Sequence, residues 1–169
     1  MVKVSIQKEI EQLEKLLGGK DGYKREQARK ALEKIGKPAV SSLIELLSHP
    51  NPLLRWEACK TLGAIKDPSA AAALVSALDD DTMEVNWVAA EALIRLKTKA
   101  LVPLLRSLEK NFTSVFLRQG AHHILHTLER ERLLNKETLV ALDTLRFLEP
   151  KISVAFAARK ALDSLKNSK

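Results

Sequence analysis

Three of the four histidines fall in one run, HHILH at residues 122–126, and this run is the place to look for metal chemistry. His122 and His126 are four residues apart, so on a helix they share a face, as two zinc ligands do in H-E-x-x-H. The residue that would be the general base is His123 rather than glutamate, and no third ligand is identifiable apart from Glu129 nearby on the same helix. An ordinary histidine patch, open to adventitious zinc or nickel, is the expectation. Glu57 on another helix is the further metal candidate, considered below. Cys59 is the only cysteine, which leaves no intrachain disulfide framework. It is expected to pack as a small apolar group. The run Asp79-Asp80-Asp81 looks like a carboxylate cluster, but its place at an inter-helix turn suits a cap, with Asp81 capping the next helix. No G-x-S-x-G, no G-x-x-x-x-G-K-[ST] and no glycine-rich loop after a strand is present.

The elements that carry these residues repeat. Five segments align without gaps: REQARKALEKIG (25–36), RWEACKTLGAIK (55–66), NWVAAEALIRLK (86–97), RQGAHHILHTLE (118–129) and AFAARKALDSLK (155–166). Their fourth position is Ala28, Ala58, Ala89, Ala121 or Ala158, and four residues later comes Leu32, Leu62, Leu93, Leu125 or Leu162. An isoleucine or leucine follows three further on, so the spacing i, i+4, i+7 marks one helical face. The alanine lets the next helix approach closely, which every layer of a stack requires. A second apolar pattern lies between these segments, as in Leu43, Ile44 and Leu47. Asn51-Pro52 and Asp67-Pro68 place a cap before a proline at the first helical position, and Ser114 or Thr113 caps a later helix.

The alanines are 30, 31, 32 and 37 residues apart. A period near 31 with two helices per unit predicts an all-α, right-handed α-α superhelix of about ten helices. We expect a single domain over 1–169. A capping helix occupies 1–20, hairpin units span 21–50, 51–80, 81–110 and 111–148, and a second capping helix spans 149–169. ERERLLNKET (129–138) lengthens the fourth unit, either extending its helix or adding a turn.

The pattern R-x-x-A-x-x-x-L-G-x-I-x-D-P, then x-x-L, then D-D, resembles the short HEAT-like repeats of the phycobilin lyase type. It is closest in RWEACKTLGAIKDPSAAAALVSALDDD (55–81) and extends over about residues 21–166. The T-P-L-H turn of ankyrin and the tetratricopeptide pattern are absent. The resemblance implies an armadillo-like solenoid that serves as a protein-binding scaffold, though some relatives handle bilins. A weaker similarity is to deoxyhypusine hydroxylase, whose His-Glu pairs bind two irons. The corresponding positions here read Glu26-Gln27, Trp56-Glu57, Trp87-Val88, Gln119-Gly120 and Phe156-Ala157, so no pair survives. No enzyme activity, cofactor or metal is expected.

Trp56, Trp87 and Phe156 occupy one repeat position, about 160° from the core alanine at 3.6 residues per turn. Ile94, His123 and His126 lie close to the same direction. Either the tryptophans stand out side by side as an interface, or each ring folds back over the turn before its helix. Lys99, Arg106 and Lys110 recur at i, i+7, i+11 on a second helix, the kind that the resemblance places on a concave surface. Glu45, Ser76, His49 and Asp80 stand at the matching positions of other units, which breaks the stripe.

The net charge of +7 arises wholly in residues 85–169, with 15 Lys+Arg against 8 Asp+Glu, while residues 1–84 hold 13 of each. Nucleic acid is therefore the alternative partner, and a bilin-handling subunit a further one. A charged N-terminal stretch without an apolar core, and no run of about 18 apolar residues, predict a cytoplasmic setting.

Overall fold

A computed structural model describes residues 2–146 and 152–167 of the 169. Ten α-helices are present among them and no strand. They are α1 (Val2–Leu17), α2 (Gly22–Ile35), α3 (Val40–Leu46), α4 (Pro52–Ile65) and α5 (Ala71–Ser76), followed by α6 (Met83–Leu96), α7 (Leu101–Lys110), α8 (Val115–Arg130), α9 (Lys136–Thr144) and α10 (Ile152–Asn167). A 3-10 turn leads into each of α3, α5 and α7. The boundary expected between residues 148 and 149 lies outside the described residues.

Four of the helices, α2, α4, α8 and α9, start where a side chain can accept from the free N–H groups of the first turn. Asp21 accepts from Tyr23 and Lys24 N–H, Asn51 from Leu53, Ser114 from Leu117 and Asn135 from Thr138. Asp67 caps the 3-10 turn at Pro68 by accepting from Ser69 N–H. Asp81 is not a cap: α6 begins after Thr82, whose side chain makes no capping bond. Its carboxylate is instead drawn to the Arg55 guanidinium.

The ladder of alanines is buried, with Ala28, Ala58, Ala89, Ala121 and Ala158 all at 1% exposure or less. Close approach is tightest between α4 and α6. A Cβ on Gly63 would lie 2.8 Å from Ala92 Cα and Cβ, so only glycine fits that crossing. Helices α2, α4, α6 and α8 pack in sequence as one layer, while α3, α5 and α7 lie behind them.

The arginine that opens three of the five repeated segments acts as a staple between units. Arg25 Nη1 donates to Gly19 O, Arg55 Nη1 to His49 O and Arg118 Nη1 to Phe112 O, at 2.8, 2.9 and 2.8 Å. Each partner lies six residues earlier, in the connection from the preceding helix. These buried or half-buried guanidiniums therefore satisfy backbone carbonyls of the connections between helices. In α6 the same position is Asn86, which is too short for that reach.

Beyond α8 the stack departs from the expected repeat. The 129–138 insertion does both things considered for it: α8 runs on to Arg130, and a turn follows with Arg132 at a left-handed φ of 59°. Helix α10 then packs against α7 and α9 rather than beside α8. Arg159 Nη1 pairs with Glu109 of α7 at 2.9 Å, and Asn135 Nδ2, at the start of α9, donates to Ser164 Oγ. The closing helix thus joins the second layer, although its sequence aligns with the first helices.

Candidate partner-binding surface

The Trp87 ring is 60% exposed on α6, one unit along from Trp56 on α4. Two grooves meet at it. The first, of about 220 Å³, lies between α6 and α8, with Leu78 and Ala90 in its lining and Met83, Trp87 and Phe116 exposed around it. Asn86, Gln119, Gly120 and His123 complete it, and Asn86 and Gly120 are places where the junction has short side chains. No carboxylate, lysine or arginine lines it. The second groove, also about 220 Å³, lies between α4 and α6, with Trp56 and Trp87 at its sides and Lys60, Glu91 and Arg95 around it. A broader trough of about 440 Å³ continues from Lys60 and Arg95 to Arg29 and Lys30 on α2.

The rings are held in place. Trp87 stacks on His123 with centroids 4.7 Å apart, and His123 Nε2 lies 2.9 Å from Glu91 Oε1. Such packing orders the aromatic before any partner arrives, which lowers the entropy lost on binding. Trp56 is half-buried against the core, with Lys60 Nζ 4.5 Å from its ring centroid and Arg29 on the same ring at 5.9 Å. The two tryptophans therefore differ: Trp87 stands out, and Trp56 lies back under two cations.

Of the other candidates, Ile94 is half-buried against the core and His126 is exposed. His126 stacks on His122 at 6.0 Å, which separates this pair from His123. Burial, then the neighbouring His126, pushes the His122 imidazole below its ordinary pKa. Phe156, 63% exposed, is carried by α10 in the other layer and so does not join the tryptophans. Lys99 is on the 3-10 turn before α7, not on α7 with Arg106 and Lys110, although all three are exposed. The tighter winding of that turn takes it out of the α-helical register assumed from spacing.

The acidic candidates have structural partners. Glu57, 1% exposed, accepts from Arg25 Nε at 3.0 Å and Arg29 Nη1 at 2.6 Å. Asp80 takes Arg55 side-on, from Nε at 2.7 Å and Nη2 at 2.8 Å. Asp79 accepts from Ser114. Cys59 is buried, and burial pushes its thiol up to about 12. Among the described residues no three His, Cys, Asp or Glu side chains converge as a metal site would require.

Met83, Phe116, Lys60 and Arg95 belong to this surface and were not among the residues singled out from sequence. Lys60 could have been found as the residue one helical turn after Trp56. Asn86 in the arginine position and Gly120 beside Ala121 marked the α6–α8 junction as irregular.

Among the described residues no helix is long and apolar enough to cross a membrane. No curated protein matches the chain. A family model described as HEAT repeats matches residues 10–94, half of the sequence, and α7 and α8 continue the same layered packing beyond it. The chain belongs to the HEAT repeat family.

Proposed function

We propose that the protein is a non-catalytic adaptor that docks another protein on the first-helix face of α4, α6 and α8. The observation that carries this is Trp87: a large aromatic, mostly exposed, fixed by His123, with a groove on either side. Exposed aromatics beside apolar pockets are where binding energy concentrates, because they offer much area for little lost entropy. The HEAT repeat assignment supports a protein partner, and the period near 31 supports the short, phycobilin-lyase-type variant of the repeat. The interspersed Glu26, Glu33 and Glu91 favour a protein over a nucleic acid on this face.

The test is a photo-crosslinking amino acid placed at Met83, exposed beside the α6–α8 groove, in the native cell. The expected result is a discrete protein adduct that disappears when Trp87→Ala is added. An adduct with nucleic acid, or a protein adduct that forms only when the crosslinker is moved to Arg106 on α7, would rule the proposal out.

A further inference from the structure

We infer that the occupant of this surface is an extended segment carrying an acidic side chain and, about four or five residues away, one large apolar side chain. The inference rests on the docking face just proposed and specifies what the face recognises.

Charge supplies the first half. The trough over α2 and α4 and the groove between the tryptophans share Lys60 and Arg95. The other cations there are already engaged: Arg29 with Glu57, and Lys30 with Glu26 at 2.7 Å. Neither Lys60 nor Arg95 forms an ion pair among the described residues, whose ion pairs all lie elsewhere. With Arg29 set against Glu57 and Lys30 against Glu26, Lys60 and Arg95 face only Glu33 in the trough, which leaves an excess of one positive charge. A carboxylate set between Lys60 and Arg95 gains two partners and breaks no ion pair, although Lys60 also lies over the Trp56 ring.

The α6–α8 groove supplies the second half. Besides Asn86, Gln119 and His123, its lining is Leu78, Met83, Ala90, Gly120, Trp87 and Phe116, with no carboxylate, lysine or arginine to compensate a buried ion, so its occupant is mainly apolar. At about 220 Å³ it is smaller than the ~300–1,000 Å³ of pockets that hold whole small-molecule ligands. It suits a single anchoring side chain. Two short residues keep it open. A Cβ on Gly120 would come within 2.9 Å of Leu78 Cδ2. Asn86 stands where α2, α4 and α8 carry an arginine.

Geometry joins the halves. Arg95 is about eight residues along α6 from the groove's Met83–Ala90 stretch, or roughly 12 Å at 1.5 Å per residue. The two sites lie on opposite flanks of α6, about 10 Å apart across a helix with its side chains. The combined span is about 15 Å, which four or five residues of extended chain cover at ~3.3–3.6 Å each. Trp87 lies between, where the segment's backbone and middle side chains would cross it.

The test is selection of a phage-displayed random dodecapeptide library on the full chain, followed by affinity measurement on the purified winners. The expected winners carry Asp or Glu and one large apolar residue at that separation. Reversing charge with Lys60→Glu and Arg95→Glu should weaken them about tenfold at low salt, and the loss should shrink at 0.5 M NaCl as screening takes over. Peptides in which Lys replaces the acid should bind the reversed variant better than the wild type. Winners without acid enrichment, an absence of winners, or equal affinity for the reversed variant would overturn the inference. So would tighter binding of a twenty-residue oligothymidylate than of any peptide at the same salt. If winners ignore Lys60 and Arg95 but are lost with Trp87→Ala, the docking face stands and only its acidic preference fails. Winners indifferent to both Trp87→Ala and Phe116→Ala would remove the docking face itself.

Discussion

Gly63→Ala should destabilise the protein, although alanine is the better helix former by about 1 kcal/mol. The new methyl would sit 2.8 Å from Ala92 Cα and Cβ, where ordinary carbon contacts are ~3.5–4.0 Å. No rotamer can relieve this, because part of the obstacle is backbone. Helices α4 and α6 must separate by roughly 1 Å, which loosens the buried contacts of Ala58, Leu62, Ala89 and Leu93 between them. Overpacking of this kind costs about 2–3 kcal/mol, so the net loss after the propensity gain is about 1–2 kcal/mol. In a chain of this length that lowers the melting temperature by roughly 3–6 °C. Gly120→Ala is the matched control: its Cβ meets only side-chain atoms of the buried Leu78, Cδ2 nearest at 2.9 Å and no backbone, so the loss should be smaller than at Gly63. Urea unfolding followed by circular dichroism measures both. A Gly63→Ala variant that gains stability, or one that matches Gly120→Ala, would refute the close-approach reasoning.

Three further outcomes follow from the same geometry. Burial pushes the Asp80 carboxyl up, but hydrogen bonds from Arg55 and from Thr82 N–H outweigh it and hold the group below its ordinary value. Its stabilising contribution is present above the unfolded pKa of about 3.9 and is lost as pH falls through the lower folded value, so Asp80→Asn should flatten the acid limb of a stability–pH curve. With its thiol raised to about 12 and buried, Cys59 should resist alkylation at pH 8 in the native state and react fully in denaturant, as read by mass spectrometry. Lys97→Gly should raise the urea midpoint by the equivalent of about 1 kcal/mol, because Lys97 is held at φ 52°, ψ −133°, nearly the conformation of the equivalent Gly36 at φ 71°, ψ −132°.

The repeat was open to reading from sequence because its physics is local. A buried alanine every 30 to 37 residues, with leucine one turn on, announces close-packed helices, and Asn51, Asp67 and Ser114 mark their starts. What could not be read depends on distant partners. The acidic run 79–81 gives no sign of Arg55, some 25 residues earlier, which binds two of its members. Helix α10 carries the first-helix pattern, yet an apolar stripe specifies a buried face and not the layer that covers it. Trp56 and Trp87 share a repeat position but not a fate, because Arg29 and Lys60 lie over one ring while only His123 stacks on the other.

Trp87 and Phe156 give the most direct test of the docking claim, since they are nearly equally exposed, at 60% and 63%, but stand on different layers. The partner captured at Met83 should be titrated against Trp87→Ala and Phe156→Ala, each checked for unchanged helicity. The account predicts at least ~30-fold weaker binding for Trp87→Ala, the loss expected of a central anchor, and no change for Phe156→Ala. Equal affinities for the two variants, or a loss confined to Phe156→Ala, would contradict it.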